Sequence, residues 1–201
     1  MFAVYITHPQ IRLEPDVPVP RWGLSEIGIA RAEKAAQCSW AQQLSRLLSS
    51  DETKALESAA IMAQASGAEV EVLEHSGEND RSATGFLIPE EFEKAANWFF
   101  ANPEQSFHGW ERAIDAQKRI VTAVTSVLDR HDPAKPIAFV GHGGVGTLLK
   151  CHLAGLPISR SQDQLAGGGC LYAFSLADRS LACDWTAMEL WQGWQNDCDR
   201  A

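Results

Sequence analysis

The stretch Ile137-Ala138-Phe139-Val140-Gly141-His142-Gly143-Gly144-Val145 decides the fold of this chain. Ile137 to Gly141 is an apolar run of strand length, His142 ends it, and Gly143-Gly144 opens a helix through Leu153 that Gly155 and Pro157 stop. The same pattern stands at the amino end, where Phe2-Ala3-Val4-Tyr5-Ile6-Thr7 runs into His8. A histidine at the carboxyl end of a parallel strand faces the crevice where open α/β sheets bind ligands. Two of them in matching contexts predict a paired-histidine active site.

Between these strands the chain alternates. Pro15, Pro18 and Pro20 forbid regular helix after His8 and make a long loop, a kind of segment that is usually functional. Ser25 suits the N-cap of a helix running into the forties, with Ile27, Ala30, Ala35 and Leu44 near one face. A strand over 46–49 precedes a helix from about 52 to 65 that Gly67 can stop in a left-handed cap. A strand over 70–73 leads into a polar loop over 74–85 carrying Glu74, Glu78, Asp80 and Arg81. Pro89 opens a helix through Phe100, and a longer one spans 110–130 with Ile114, Val121, Val124 and Leu128 as its stripe. Gly167-Gly168-Gly169 reads as a flexible turn before a closing hairpin of strands over 170–174 and 181–185. The pattern predicts an α/β fold: a three-layer α/β/α sandwich on a mostly parallel mixed sheet, one domain over 1–201 with room for a small helical insertion around 86–110.

The chain has 201 residues, is 45% hydrophobic and carries a formal net charge of −9. That charge speaks against nucleic acid as a partner, so any anion site must be local. No apolar run is long enough for a membrane span and no secretory leader stands at the start, so a cytoplasmic location is expected. The five cysteines, Cys38, Cys151, Cys170, Cys183 and Cys198, are scattered without a C-x-x-C pair and read as reduced thiols, with neither metal nor cofactor indicated. Trp185, Trp191 and Trp194 suit burial against the fold, the wall of a substrate pocket, or the interface of a homodimer.

Four polar elements converge on the strand ends: Thr7-His8, Ser50 with Lys54, the loop from Glu74 to Arg81, and His142 before its glycine-started helix. A neutral imidazole has a lone pair that can attack phosphorus, a second histidine and a lysine can neutralise phosphoryl oxygens, and a carboxylic acid can protonate the leaving group. This inventory suits phosphoryl transfer to and from a small phosphorylated anionic substrate without a metal ion.

In their order, the motifs resemble those of the histidine phosphatase superfamily, also called phosphoglycerate mutase-like. Ile6-Thr7-His8-Pro9 takes the place of the family's strand-ending R-H-G, and Pro20 to Ala32, with Leu24-Ser25 and Gly28, is similar to its P-L-T-x-x-G-x-x-Q-A segment. Ser49-Ser50-Asp51-Glu52-Thr53-Lys54-Ala55 to Ala59 is similar to S-S-x-x-x-R-A-x-x-T-A, and Val140 to Val145 to V-S-H-G-G-x. The resemblance implies the phosphoglycerate mutase-like fold, His8 as the phosphorylated nucleophile, His142 as the second pocket histidine, and Lys54 in the slot of a pocket arginine. It places the acid in the loop after the third strand, where Glu78 is the first choice and Asp80 and Glu74 are alternatives.

The sequence also departs from the family. Thr7 replaces an arginine, which removes a bidentate grip on phosphate, and Lys54 keeps a charge without the guanidinium fork. Pro9 still offers the backbone carbonyl that can fix the tautomer of His8. Arg81 is the first-ranked replacement cation, ahead of Arg12 and Arg21. Thr7, Ser50 and the backbone at Gly143 complete the predicted substrate-binding set. Two functions follow: a phosphatase working through a phosphohistidine on His8, or a weak or inactive fold serving as an anion-binding or regulatory module. Nothing in the sequence points positively to a mutase.

Overall fold

The computed structural model describes residues 1–194, and Cys198 lies outside them. Six strands, β1 (Phe2–Thr7), β2 (Arg46–Ser49), β3 (Val70–Val72), β4 (Ile137–Gly141), β5 (Cys170–Ser175) and β6 (Leu181–Ala187), form one sheet in the order β3-β2-β4-β1-β5-β6. The first four run parallel, and the terminal hairpin pairs antiparallel with β1 through β5, which makes the sheet mixed. Thr7 lies opposite Gly141 in the ladder and the His8 N–H donates to the Gly141 carbonyl at 3.0 Å. The next rung is therefore His8 beside His142.

Alternation along the strands fills two cores. Phe2, Val4, Ile6, Leu47, Ala138 and Val140 face the helices α1 (Glu26–Ala36), α2 (Ser39–Gln42) and α3 (Thr53–Ser66). Ala3, Tyr5, Leu48, Ile137 and Phe139 face α4 (Pro89–Ala101), α5 (Ala113–Leu128) and α6 (Gly143–Leu153). Among the described residues no helix is long and apolar enough to cross a membrane. Trp191 and Trp194 both pack on the Phe2 ring, at 5.5 and 6.0 Å between centroids.

Two helices differ in part from their sequence reading: Ala35 of α1 and Val121, Val124 and Leu128 of α5 face the core as expected, while Ile27 and Ile114 do not. α1 is capped by Ser25, whose Oγ accepts the Gly28 N–H at 3.2 Å, but Gly28, Ala32, Ala35 and Ala36 turn inward and Ile27 is 64% exposed. A Cβ on Gly28 would penetrate the Gln10 carbonyl oxygen, so only glycine lets the helix start rest on the turn after His8. α1 also ends at Ala36 rather than reaching the forties, because extended backbone at Cys38 redirects the chain and buries Trp40. In α5 the buried line is Ala113, Ala116, Ile120, Val124 and Val127, while Ile114 points outward. The alanines carry these faces, and a search for large apolar residues overlooks them.

Gly28→Ala should lower unfolding stability by about 2–3 kcal/mol, the scale of a forced overpacking against backbone. Urea titration followed by far-ultraviolet circular dichroism measures this directly. An unchanged midpoint would show that α1 can shift away from Gln10 at no cost.

The Gly167-Gly168-Gly169 run is a fitted turn. All three glycines have positive φ, the Gly169 N–H donates to the His8 carbonyl at 3.0 Å, and a Cβ on Gly168 would enter that same oxygen. The Arg31 guanidinium holds the far side of the turn, donating to the carbonyls of Gly168 and Gly169 at 3.0 Å each and pairing with Glu189 at 2.7 Å.

Candidate active site

His8 and His142 leave adjacent parallel strands at their carboxyl ends and meet edge to face, with ring centroids 5.3 Å apart. The His8 Nδ1 lies 2.9 Å from the Pro9 carbonyl oxygen, so Nδ1 carries the proton and Nε2 presents its lone pair. Burial and the neighbouring His142 lower the His8 pKa to about 3, and the ring is neutral at ordinary pH. His142 is fully buried, and burial lowers its pKa too, against the opposing pull of Glu52 and Glu78. Its backbone is held by Tyr5, whose hydroxyl accepts the His142 N–H at 3.1 Å and donates to the His142 carbonyl at 3.2 Å. Its Nε2 lies 2.6 Å from Ser50 Oγ and 3.3 Å from Glu52 Oε1.

Lys54, on the first turn of α3, is 4% exposed and points into the site. Its ammonium is already engaged: Nζ donates to the Val19 carbonyl at 3.1 Å and pairs with Glu52 Oε2. Glu52 was not singled out from the sequence. Burial works to raise the pKa of its carboxyl, but His142, Lys54 and the Glu78 N–H together hold it at about 2. The signal that could have revealed it is a carboxylate at a variable position inside an anion-binding motif.

Of the three loop carboxylates, Glu78 turns inward while Glu74 and Asp80 are exposed. Its two oxygens accept the N–H groups of Gly144 and Val145 at 3.0 Å each, and Oε1 also takes the Asn79 N–H at 3.0 Å. The start of α6 thus already holds an anion. Burial pushes the Glu78 pKa up, but Arg81, His142 and these N–H donors outweigh it and keep it low. The loop is pinned from behind by Arg119 of α5, which donates to the carbonyls of His75 (2.6 Å), Gly77 (3.0 Å) and Glu78 (3.2 Å) and pairs with Glu111. Arg119 was also missed, since a helix arginine carries no local mark of such a task.

Arg81 lies with its guanidinium 3.9 Å from Glu78 and over the rings of Phe92 and Trp110, at 5.1 and 5.7 Å. Exposed Arg12 pairs with half-buried Glu14, and Arg21 is exposed on the proline-rich loop. The Thr7 hydroxyl is fully buried; it accepts the Cys170 N–H at 3.0 Å and donates to Gln164 Oε1 at 2.6 Å, so it supports its neighbours and has no donor to spare. Gln164 crosses to Gly143, where a Cβ would lie 2.5 Å from its Nε2. These pairings leave the site close to charge balance. Lys54 and Arg81 face Glu52 and Glu78, two positive charges against two negative, around two neutral imidazoles.

A mostly parallel sheet with paired histidines at its carboxyl edge defines the site. A sequence model of the histidine phosphatase superfamily (branch 1) matches residues 11–188, and the chain belongs to that family. The matched span starts three residues after His8, so the role of His8 is argued from geometry. No functionally curated protein matches significantly. Among solved structures, the chain is similar to mycobacterial glucosyl-3-phosphoglycerate phosphatase in complex with inorganic phosphate, at 20% identity and a TM-score of 0.78 over 94% of this chain and 99% of that one. It is also similar to phosphoserine phosphatase from Entamoeba histolytica in complex with 3-phosphoglyceric acid, at 18% identity and a TM-score of 0.71 over 94% and 99%. At these identities the likeness establishes the shared phosphoglycerate mutase-like fold.

Proposed function

We propose that the chain is a phosphatase that hydrolyses a small phosphorylated compound, without a metal ion, through a phosphohistidine on His8. The observation that carries this reading is the hydrogen bond of His8: the Pro9 carbonyl accepts it from Nδ1–H, which keeps the proton on Nδ1 and leaves the lone pair of Nε2 free beside His142. Nε2 attacks phosphorus and the bond from phosphorus to the leaving oxygen breaks; Glu78, ionised in the free chain and taking up a proton as the negatively charged phosphoryl group arrives beside it, gives that proton to the leaving oxygen. Water then attacks the phosphohistidine, the Glu78 carboxylate accepts the water proton, and His8 is released with inorganic phosphate. His142 and Lys54 face the phosphoryl oxygens, and Ser50 holds His142. The substrate is a compact phosphomonoester.

A second reading, a fold used for anion binding or regulation with little turnover, draws on the engagement of Lys54 by Glu52. One experiment separates the two. The chain is incubated with an aryl phosphate, hydrolysis is followed, and the quenched protein is analysed for acid-labile, base-stable phosphate. The phosphatase reading expects turnover with the label on His8. Turnover without label on His8 removes the nucleophile assignment, and absence of turnover with every phosphomonoester tried supports the binding module.

A further inference from the structure

We propose that Glu52 is an internal anion that occupies the phosphoryl seat of the pocket and competes with an incoming phosphoryl group for Lys54 and His142. The inference deepens the phosphatase reading and takes the class of ligand from it. A phosphoryl group needs an ammonium, an imidazole N–H and backbone N–H donors. The Glu52 carboxylate has gathered that set: Lys54 Nζ on Oε2, the Glu78 N–H on Oε1 at 2.9 Å, and His142 Nε2 at 3.3 Å.

The position of Glu52 makes this arrangement distinctive. It is the N-cap residue of α3, where a carboxylate would ordinarily accept N–H groups of its own first turn, yet its side chain makes no capping bond. It reaches instead across the pocket to the acid-bearing loop, and its side chain is only 11% exposed. A phosphate dianion arriving at Lys54 must displace this carboxylate or stand beside it, and like charges at that range oppose each other strongly. Glu52 is therefore a specificity-determining residue: it lowers the affinity of the pocket for highly charged oxyanions. Lys54 and His142 keep its carboxyl ionised at neutral pH against the effect of burial, so the competition does not relax across the neutral range.

Calorimetric titration of the full chain with inorganic phosphate and with vanadate, at fixed ionic strength, tests this. E52Q keeps the shape and hydrogen-bonding capacity of the side chain without its charge, and should bind both probes about tenfold tighter or more. E52D, which draws the carboxylate back by one methylene, should gain less and serves if E52Q folds poorly. In a K54M background the gain from E52Q should shrink, because the contested donor is gone. Unchanged or weaker binding by E52Q overturns the inference, as does failure of both wild type and E52Q to bind either probe. The phosphatase reading is judged separately by His8-dependent turnover. Tighter binding in E52Q without turnover keeps this inference and removes that reading; turnover with unchanged binding does the reverse.

Discussion

His8→Ala is expected to lower turnover of an aryl phosphate on the order of 10³-fold or more while the chain still folds, as loss of a covalent nucleophile does elsewhere. The fold loses little, because the side chain makes a single hydrogen bond, to Pro9, worth about 1 kcal/mol, and the backbone at residue 8 stays tied to Gly141 and Gly169. Turnover within threefold of wild type would end the assignment. The same substitution has a pH signature. His8 titrates near 3 in the fold but at about 6.5 in the unfolded chain, so below that value the unfolded state takes up a proton that the native state refuses. Stability therefore falls as pH drops from about 6.5 toward 3, and His8→Ala should flatten that slope. Chemical unfolding at pH 7 and pH 5 in both proteins measures it.

Arg119→Leu, also outside the pocket, should be as damaging as Gly28→Ala. One guanidinium serves three loop carbonyls and the Glu111 carboxylate, and a leucine leaves those acceptors without a donor. Arg119 and Glu111 are partly solvated, with side chains 23% and 17% exposed, which discounts the ion pair. The expected loss is about 2–3 kcal/mol, mainly from the carbonyls. In a chain of this size that is roughly a 5–10 °C fall in Tm. Because the Glu78 carbonyl is among those released, kcat should fall more than KM rises. A variant with wild-type Tm would show that water replaces the guanidinium freely.

The strands, their order of appearance and the two histidines were legible because each rests on short-range pattern: apolar runs of strand length, ended by a polar residue and followed by glycine or proline. Glu78 could be preferred over Asp80 and Glu74 for its depth in the loop, although nothing local revealed that its carboxylate would meet the start of α6. Glu52, Arg119 and Gln164 were hidden for one reason. Their meaning lies in what the fold brings to them: the acid-bearing loop to Glu52, that loop's carbonyls to Arg119, Thr7 and Gly143 to Gln164. The face of α1 was partly misjudged, since Gly28 and Ala32 make the close approach that a periodicity of large apolar residues does not register, whereas in α5 Val121, Val124 and Leu128 face the core as read and Ile114 alone stands outward.

The rung that sets His8 beside His142 divides what can change in this molecule from what cannot. The separation of the two rings follows from the spacing of adjacent strands, about 4.8 Å, and from a backbone bond between His8 and Gly141 that no side chain supplies. The charges around them sit on the loop ends and first helical turns that follow each strand. Substitutions there can change the electrostatic character of the cavity, as Thr7 and Glu52 do, without moving either imidazole. The histidine pair comes with the sheet, and the charges around it are free to drift.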